Sequence, residues 1–317
     1  MGAIFIGVDL GGTNIKVGLV SEEGEVVRRH SAATRAEGGP EVVARRICQA
    51  TRECMQAASL DVGSLGGLGV GSPGTIDLES GVVLFSPNLP GWRDVPLVRM
   101  IEDDLGLSCA LDNDANVAAL GELWLGAGRG CSSLVLLTLG TGIGGGIVLD
   151  GRIWHGGNGV AGEIGHVSIN PDGPLCGCGN RGCFETYASA TAMVRRMREA
   201  IHSGVQSSLA DAGDQLTAEM IHRAAVAGDR AARENIEQTG RYLGLGVSNI
   251  MHLLNPQVIA FSGGVTAAGE MLMAPLRDEV DSRTLEASRR GVKVCFAELP
   301  RDAGIIGAAR CAMLSRG

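Results

Sequence analysis

A chain of 317 residues can bury a large core and, since single domains cluster nearer about 100–150 residues, is expected to make two α/β domains. Hydrophobic residues at 45% and charged ones at 20% fit a soluble globular protein, while a net charge of −8 repels nucleic acid and anionic membranes. The 49 glycines are out of the ordinary, roughly double the usual share of about 7%. Without a Gly-X-Y period they point to tight turns and to close backbone approaches to ligands.

The opening "MGAIFIGVDLGG" enters a strand almost at once, with no basic n-region and no cleavable apolar segment. Ile6 stands where a myristoylation signal needs Ser or Thr, and nowhere do about 18 apolar residues run together. The expectation is a cytoplasmic protein with no membrane partner. Three strands follow, "IFIGVDL", "IKVGLVS" and "EVVRRHSA", joined by "GGTN" and "EEGE". Helical spacing of Val42, Val43, Ile47 and Met55 predicts a helix over residues 40–58. A buried strand in "LGGLGVGSPG", a hairpin in "TIDLESGVVLF", a helix over residues 95–105, a strand in "SCALDND" and a helix in "ANVAALGELWLGA" come next.

From Ser133 the opening pattern recurs in "LVLLTLGTGIGGGIVLDGRIWHG". Setting Leu10 against Leu139 places Gly11 opposite Gly140, Gly12 opposite Thr141 and Leu19 opposite Val148, an offset of 129 residues. Such a duplication suggests two related α/β halves facing each other across a cleft. The back half reads as helices in "ASATAMVRRMREAI", "TAEMIHRAAVAG" and residues 229–254, a strand in "QVIAFSGG", a helix in "AAGEMLMAPLRDEV", a strand in "VKVCFA" and a closing helix in "DAGIIGAARCAML".

Gly69, Gly71 and Gly74, like Gly140, Gly142 and Gly145, fit G-x-G-x-x-G, but strand-like sequence follows both where a dinucleotide fingerprint would open a helix. Turns between strands can still hold phosphate, because glycine lets backbone N–H groups converge and Thr13, Asn14 and Thr141 add donors. Plain hairpin turns are the competing reading. Asp9 tips the balance, since a carboxylate beside a phosphate cradle is costly unless Mg²⁺ lies between them.

The nine cysteines argue against a disulfide framework, being odd in number and expected in a reducing compartment. Cys48, Cys54, Cys109, Cys131, Cys295 and Cys311 lie singly in helical or strand patterns and read as small buried hydrophobes. Cys176, Cys178 and Cys183 are spaced C-x-C-x4-C with His166 ten residues before the first, the ligand set of a Cys3His zinc site. Four protein ligands close the tetrahedral shell, so the zinc is expected to be structural.

"DLGGTNIKVGL", "GSPGTID", "LDNDANVAALGE", "LGTGIGGG", "GEIGH" with "CGCGNRGC", and "FSGGV", in this order, resemble the ROK family of sugar kinases and sugar-responsive repressors. "SPNLPGW" and "ETYASATA" look most like its bacterial glucokinases. The resemblance implies the two-domain actin-like ATPase (ribonuclease H-like/hexokinase) α/β fold with an interdomain cleft. The expected division is a smaller domain over residues 1–113 and 300–317 and a larger one, carrying the zinc loop, over 114–299.

"LDNDAN" offers two carboxylates, Asp112 and Asp114, and residue type alone does not choose between them; Asp114 could equally be a helix N-cap. The family's base is the aspartate of N-D-A-N, which implies Asp114 as base and Asn113 as a sugar ligand. By the same resemblance Glu163, His166 and Glu185 hydrogen-bond the hexose hydroxyls, joined by Asn88. His166 would serve zinc through one ring nitrogen and face the sugar with the other, so that the metal orders a loop otherwise too rich in glycine to hold a pocket. Glu122 is expected to be an ordinary solvated glutamate. The turns Gly11, Gly12, Thr13, Asn14 and Thr141, Gly142 would hold the triphosphate, and Gly263 and Gly264 the adenosine end at a helix N-terminus. The implied activity is ATP- and Mg²⁺-dependent phosphorylation of glucose at its 6-hydroxyl by a homodimer. Other hexoses or N-acetylhexosamines are alternative substrates. A sugar-sensing repressor is the non-enzyme alternative, disfavoured because no helix-turn-helix is expected before the first strand.

Overall fold

A computed structural model describes residues 2–315, so the expected domain ends at Met1, Arg316 and Gly317 lie outside the described residues. The chain packs into two units. One holds the chain up to Leu136, Gly146–Gly162 and the chain from Ala297 onward; the other holds Leu137–Gly145 and Glu163–Phe296.

The chain begins with β1 (Ile4–Leu10), β2 (Asn14–Ser21), β3 (Val26–Ala33), α1 (Pro40–Gln56) and β4 (Leu65–Ser72). A small three-stranded sheet follows, β5 (Thr75–Asp77), β6 (Val82–Phe85) and β7 (Arg93–Val95). Next come α2 (Leu97–Leu105), β8 (Cys109–Asn113), α3 (Asp114–Leu125), β9 (Leu134–Leu139), β10 (Ile143–Leu149) and β11 (Arg152–Ile153). The remaining elements are α4 (Glu185–Ala188), α5 (Ala190–His202), α6 (Ala218–Val226), α7 (Arg230–Leu253), β12 (Val258–Ser262), α8 (Glu270–Arg283), α9 (Glu286–Arg289), β13 (Lys293–Phe296) and α10 (Ala303–Leu314).

In the first unit the main sheet has the order β3-β2-β1-β4-β8, with β1, β2 and β3 antiparallel and β4 and β8 joining in parallel. Strand alternation sorts the residues of β1. Ile6, Val8 and Leu10 join Ile15, Val17 and Leu19 in one core with Val43, Ile47 and Cys54 of α1, each close to fully buried. Phe5 belongs instead to a cluster with Val20, Ala309 and Ala312. Burying side chains of this size is worth about 1.5–3 kcal/mol each. A Cβ on Gly7 would overlap the carbonyl oxygen of Ile305, and one on Gly307 that of Val117. Gly7 and Gly307 therefore serve the close approach of α10 to strand and helix. This unit also contains α3 and Gly146–Gly162, which the expected division gives to the larger domain; α3 packs along α10.

In the second unit α5, α6 and α8 pack against α7, and β12 pairs in parallel with β13. Helix α7 starts where Asp229, as N-cap, accepts from the Ala232 N–H at 3.0 Å. The second five-stranded sheet has the order β11-β10-β9-β12-β13. That order repeats the first sheet: β1 and β9 end at Leu10 and Leu139, and β2 and β10 begin at Asn14 and Ile143, keeping the expected offset of 129 residues. Strands also follow both G-x-G-x-x-G stretches, β5 after Gly74 and the rest of β10 after Gly145.

Several local expectations need correction. Residues 93–95 form a strand, and the helix expected from residue 95 begins at Leu97, because Pro96 cannot continue a strand's hydrogen bonding and suits a helix start. Short α4 and α9 went unread, being under two turns long. Cys131 lies in the loop between α3 and β9, outside any regular element.

Candidate active site

In the first unit, β8 delivers Asp112 and Asn113 to its end and turns straight into α3. Asn113 is the N-cap: its side-chain oxygen accepts from the N–H groups of Ala115 (2.9 Å) and Asn116 (3.4 Å), and its Nδ2 donates to the Gly74 carbonyl at 3.2 Å. The cap therefore falls on Asn113 and not on Asp114. Asp114 is half-buried in the first turn, where the helix dipole favours a negative charge, and its Oδ1 accepts from Ala115 N at 2.9 Å. Asp112 is only 6% exposed. Its Oδ1 accepts from Asn113 N (2.7 Å) and Asn116 Nδ2 (2.9 Å), and its Oδ2 lies 2.6 Å from His155 Nε2. The environments separate two carboxylates that the sequence left equal.

The turn after β1 is closed by Gly11 N donating to the Asn14 carbonyl (3.0 Å) and fastened by Thr34, just after β3, whose hydroxyl donates to the Gly11 carbonyl at 2.6 Å. Gly12, Thr13 and Asn14 stand exposed. Asp9 is paired with Lys16 at 3.0 Å, a partner set by the register that places the two opposite each other on β1 and β2. The Lys16 ammonium thus already offsets the charge of Asp9, so the carboxylate does not by itself require Mg²⁺ beside it. Exposed Asn88 sits on a loop held by buried Leu89 and Trp92, with Ser86 N donating to Trp92 O at 3.3 Å; a Cβ on Gly12 would come within 3.2 Å of its carbonyl.

In the second unit, Thr141 is exposed on the matching turn, closed by Gly140 N donating to Gly142 O at 3.0 Å. A Cβ on Gly142 would overlap the carboxylate of Glu185, whose Oε2 accepts from Ile143 N at 3.4 Å. The glycine expected to serve a phosphate makes room for a proposed sugar ligand. Gly263, at φ 96°, packs against the Leu139 backbone, and Gly264 opens a five-residue 3₁₀ helix, not an α-helix. The Thr266 N–H there already returns to Gly263 O, so the helix N-terminus expected at this place is short and partly spent.

The four predicted metal ligands converge. The ligand atoms of His166, Cys176, Cys178 and Cys183 all lie within 4.8 Å of one another. Cys178 and Cys183 sulfurs are 3.7 Å apart, as are the Cys176 sulfur and His166 Nδ1. A tetrahedral zinc with bonds of about 2.3 Å to sulfur sets its sulfurs about 3.8 Å apart, so the donors fit the ion in kind and spacing. Burial pushes the Cys176 and Cys183 thiols up, while the Asn180 N–H pulls Cys178 down. The segment carrying them has little regular structure; its ties are backbone bonds such as Ile169 N to Gly182 O (2.9 Å) and Phe184 N to Val167 O (2.9 Å). Around this cluster His166 Nε2 lies 3.8 Å from Glu163, and Glu185 Oε1 lies 3.5 Å from His166 Nδ1 and 3.0 Å from the Cys176 sulfur.

Sequence reasoning missed two residues. Lys16 carried no motif, only a strand position. Glu122, expected to be solvated, is fully buried and accepts from the backbone N–H groups of Ala127 (2.9 Å), Glu298 (3.0 Å) and Leu299 (2.7 Å). Its setting among "ALGELWL" was the available signal, because a lone acid on a helix apolar on all sides needs internal partners.

Two sheets of one repeated strand order, each opening with a strand, a small-residue turn and a strand, define a protein of the actin-like ATPase fold. The chain belongs to the ROK family, which it matches over residues 5–314. It is 42% identical to the glucokinase of Thermotoga maritima over 307 residues, 96% of this chain and 95% of that one. It is also similar in structure to the ROK hexokinase of Thermus thermophilus, with TM-score 0.83, 33% identity and 99% of each chain covered. A third relative is a ROK family glucokinase from Streptomyces griseus in complex with glucose and AMPPNP, with TM-score 0.82, 35% identity, and 98% of this chain and 100% of that one covered.

Proposed function

We propose that the chain is an ATP-dependent glucokinase, an ATP:hexose 6-phosphotransferase acting on the 6-hydroxyl of glucose. The observation that carries this reading is His166, a member of the Cys3His cluster, set between Glu163 and Glu185. Carboxylates and an imidazole grouped in this way suit hydroxyls, since each carboxylate can accept from two neighbours. The glucokinase relatives, one of them solved with glucose and AMPPNP, support the substrate pair.

In this mechanism Asp114 takes the proton of the 6-hydroxyl as the phosphoryl group leaves ATP, a transfer that otherwise depends on positioning and charge stabilisation. Asn88, the second Nδ2 hydrogen of Asn113, Glu163, His166 and Glu185 orient the hydroxyls. Gly11, Gly12, Thr13, Asn14, Thr141 and Gly142 receive the phosphates, and Gly263 and Gly264 the adenosine end. Magnesium arriving with ATP would neutralise phosphate charge beside Asp9. Zinc on His166, Cys176, Cys178 and Cys183 would have no open position, so its part is to order the loop. The same reading makes the enzyme a cytoplasmic homodimer; among the described residues no helix is long and apolar enough to cross a membrane.

The test is an ADP-release assay with a panel of hexoses and N-acetylhexosamines. Glucose is expected to give the highest kcat/KM. A higher value for N-acetylmannosamine, N-acetylglucosamine or fructose would replace the substrate, and sugar binding without ADP release would sink the kinase reading.

A further inference from the structure

We infer that His155 is a positioning residue for the proposed base, fixing through Asp112 the strand–helix turn that carries Asn113 and Asp114. The inference rests on the glucokinase reading above. Its ground is the division of labour on the Asp112 carboxylate. Oδ1 is filled from within the turn, by Asn113 N at 2.7 Å and Asn116 Nδ2 at 2.9 Å. Oδ2 takes its partner from outside, His155 Nε2 at 2.6 Å and 43 residues further along the chain. The Asp112 side chain is 8% exposed and that of His155 30%.

His155 is itself held on both sides. Trp154 N donates to the Ile147 carbonyl at 2.8 Å, and the His155 carbonyl accepts from Ala161 N at 3.0 Å, closing the segment that leads towards Glu163. The backbone that carries the ring is therefore tied on both sides, and Asp112 links the Asp114 turn to it through the ring. Asp112 and His155 also line a cavity of about 690 Å³ with Leu111, Leu120 and Arg152, so water can reach Asp112 Oδ2 when the ring is removed. What is lost is the angle at which the turn presents Asp114, and sub-ångström misplacement of a catalytic group is costly.

The experiment compares His155→Ala and His155→Gln, each in the wild-type and Asp114→Asn backgrounds, reading kcat, glucose KM and Tm. His155→Ala is expected to lower kcat about tenfold with glucose KM within about threefold, and His155→Gln, which restores a donor, to recover most of it. In the Asp114→Asn background His155→Ala should cost nothing further, because the residue it serves is gone. An unchanged kcat, with or without a fall in Tm, overturns the inference, as does a tenfold loss repeated in full without Asp114. Wild-type protein that phosphorylates no glucose brings down the glucokinase reading and this inference together. Active wild type with an indifferent His155 brings down the positioning role alone.

Discussion

The turn carrying Asp114 and the loop carrying His166 both have to hold polar side chains still, and they do it by different means. The first sits where a parallel strand becomes a helix, with Asn113 capping and Asp112 accepting three hydrogen bonds. Its geometry follows from regular elements and a closed hydrogen-bond network. The second runs from Glu163 to Glu185 with one 3₁₀ turn at Ile164–His166 and isolated bridges in place of elements. There four side chains able to hold a metal ion come together where secondary structure does not order the chain. A region held by elements should tolerate loss of a metal, and a region held by a metal should not.

Asp114→Asn gives the largest effect and tests the first region. The amide keeps the shape and can hydrogen-bond a hydroxyl, yet takes no proton at neutral pH, so kcat should fall about 10²–10⁴-fold while glucose still binds. Asp112→Asn is the control. Its Oδ1 keeps two donors and its amide faces the His155 ring, which can change tautomer, so kcat should stay within about tenfold. Reversed results would make Asp112 the base.

Metal removal tests the second region. Cys178→Ser, or chelation, should weaken glucose binding about 10–100-fold, while nucleotide affinity changes little. Elemental analysis should find about one zinc per chain. Protein prepared without chelator that holds no zinc, or a Cys178→Ser variant of full glucose affinity, would erase the contrast between the two regions.

What the sequence revealed follows the same line. The strand–turn–strand repeat and the C-x-C-x4-C spacing were legible because period and ligand spacing are local properties. Asn113 as cap and Asp112 as a buried acceptor were not, because both depend on partners brought by the fold, the Gly74 carbonyl that accepts from the Asn113 amide and the His155 ring that faces Asp112. Gly142 shows a related limit: a glycine shows that space is needed, not which neighbour needs it, and here Glu185 is such a neighbour. Glu122 shows the limit most plainly, since Glu298 and Leu299 lie more than 170 residues away.

Glu122 also shows that a carboxylate can gather loops without a metal. Replacing it by Ala leaves three backbone N–H groups without their acceptor, at about 1 kcal/mol or more each, so unfolding free energy should drop by about 3 kcal/mol. Urea denaturation reads it. Zinc content should be untouched, because no metal-binding residue loses a partner. A loss below about 1 kcal/mol would mean that water replaces the carboxylate and that the contacts are incidental.

Asp229 offers the smallest effect and the finest test, because it gathers a loop by a carboxylate in the unit that also holds the Cys3His cluster. Burial would raise its pKa, but the Ala232 N–H and the Ser207 and Ser208 donors outweigh this and bring it to about 2. A carboxyl depressed in the folded state stabilises at every pH above its ordinary value of about 3.9, and that contribution fades as pH falls towards about 2. Asp229→Ala removes the cap of α7 and the acceptor for the Ser207–Ser208 turn, and should cost about 1 kcal/mol at pH 7. The gap between wild type and variant should then close as pH falls from about 4 to 2, whether or not the protein holds zinc. A gap independent of pH would show that helix capping by any polar group, and not the ionised carboxylate, sets the stability here. A gap that vanished on chelation would instead tie this loop to the metal, leaving the second unit without a region that its own side chains hold in place.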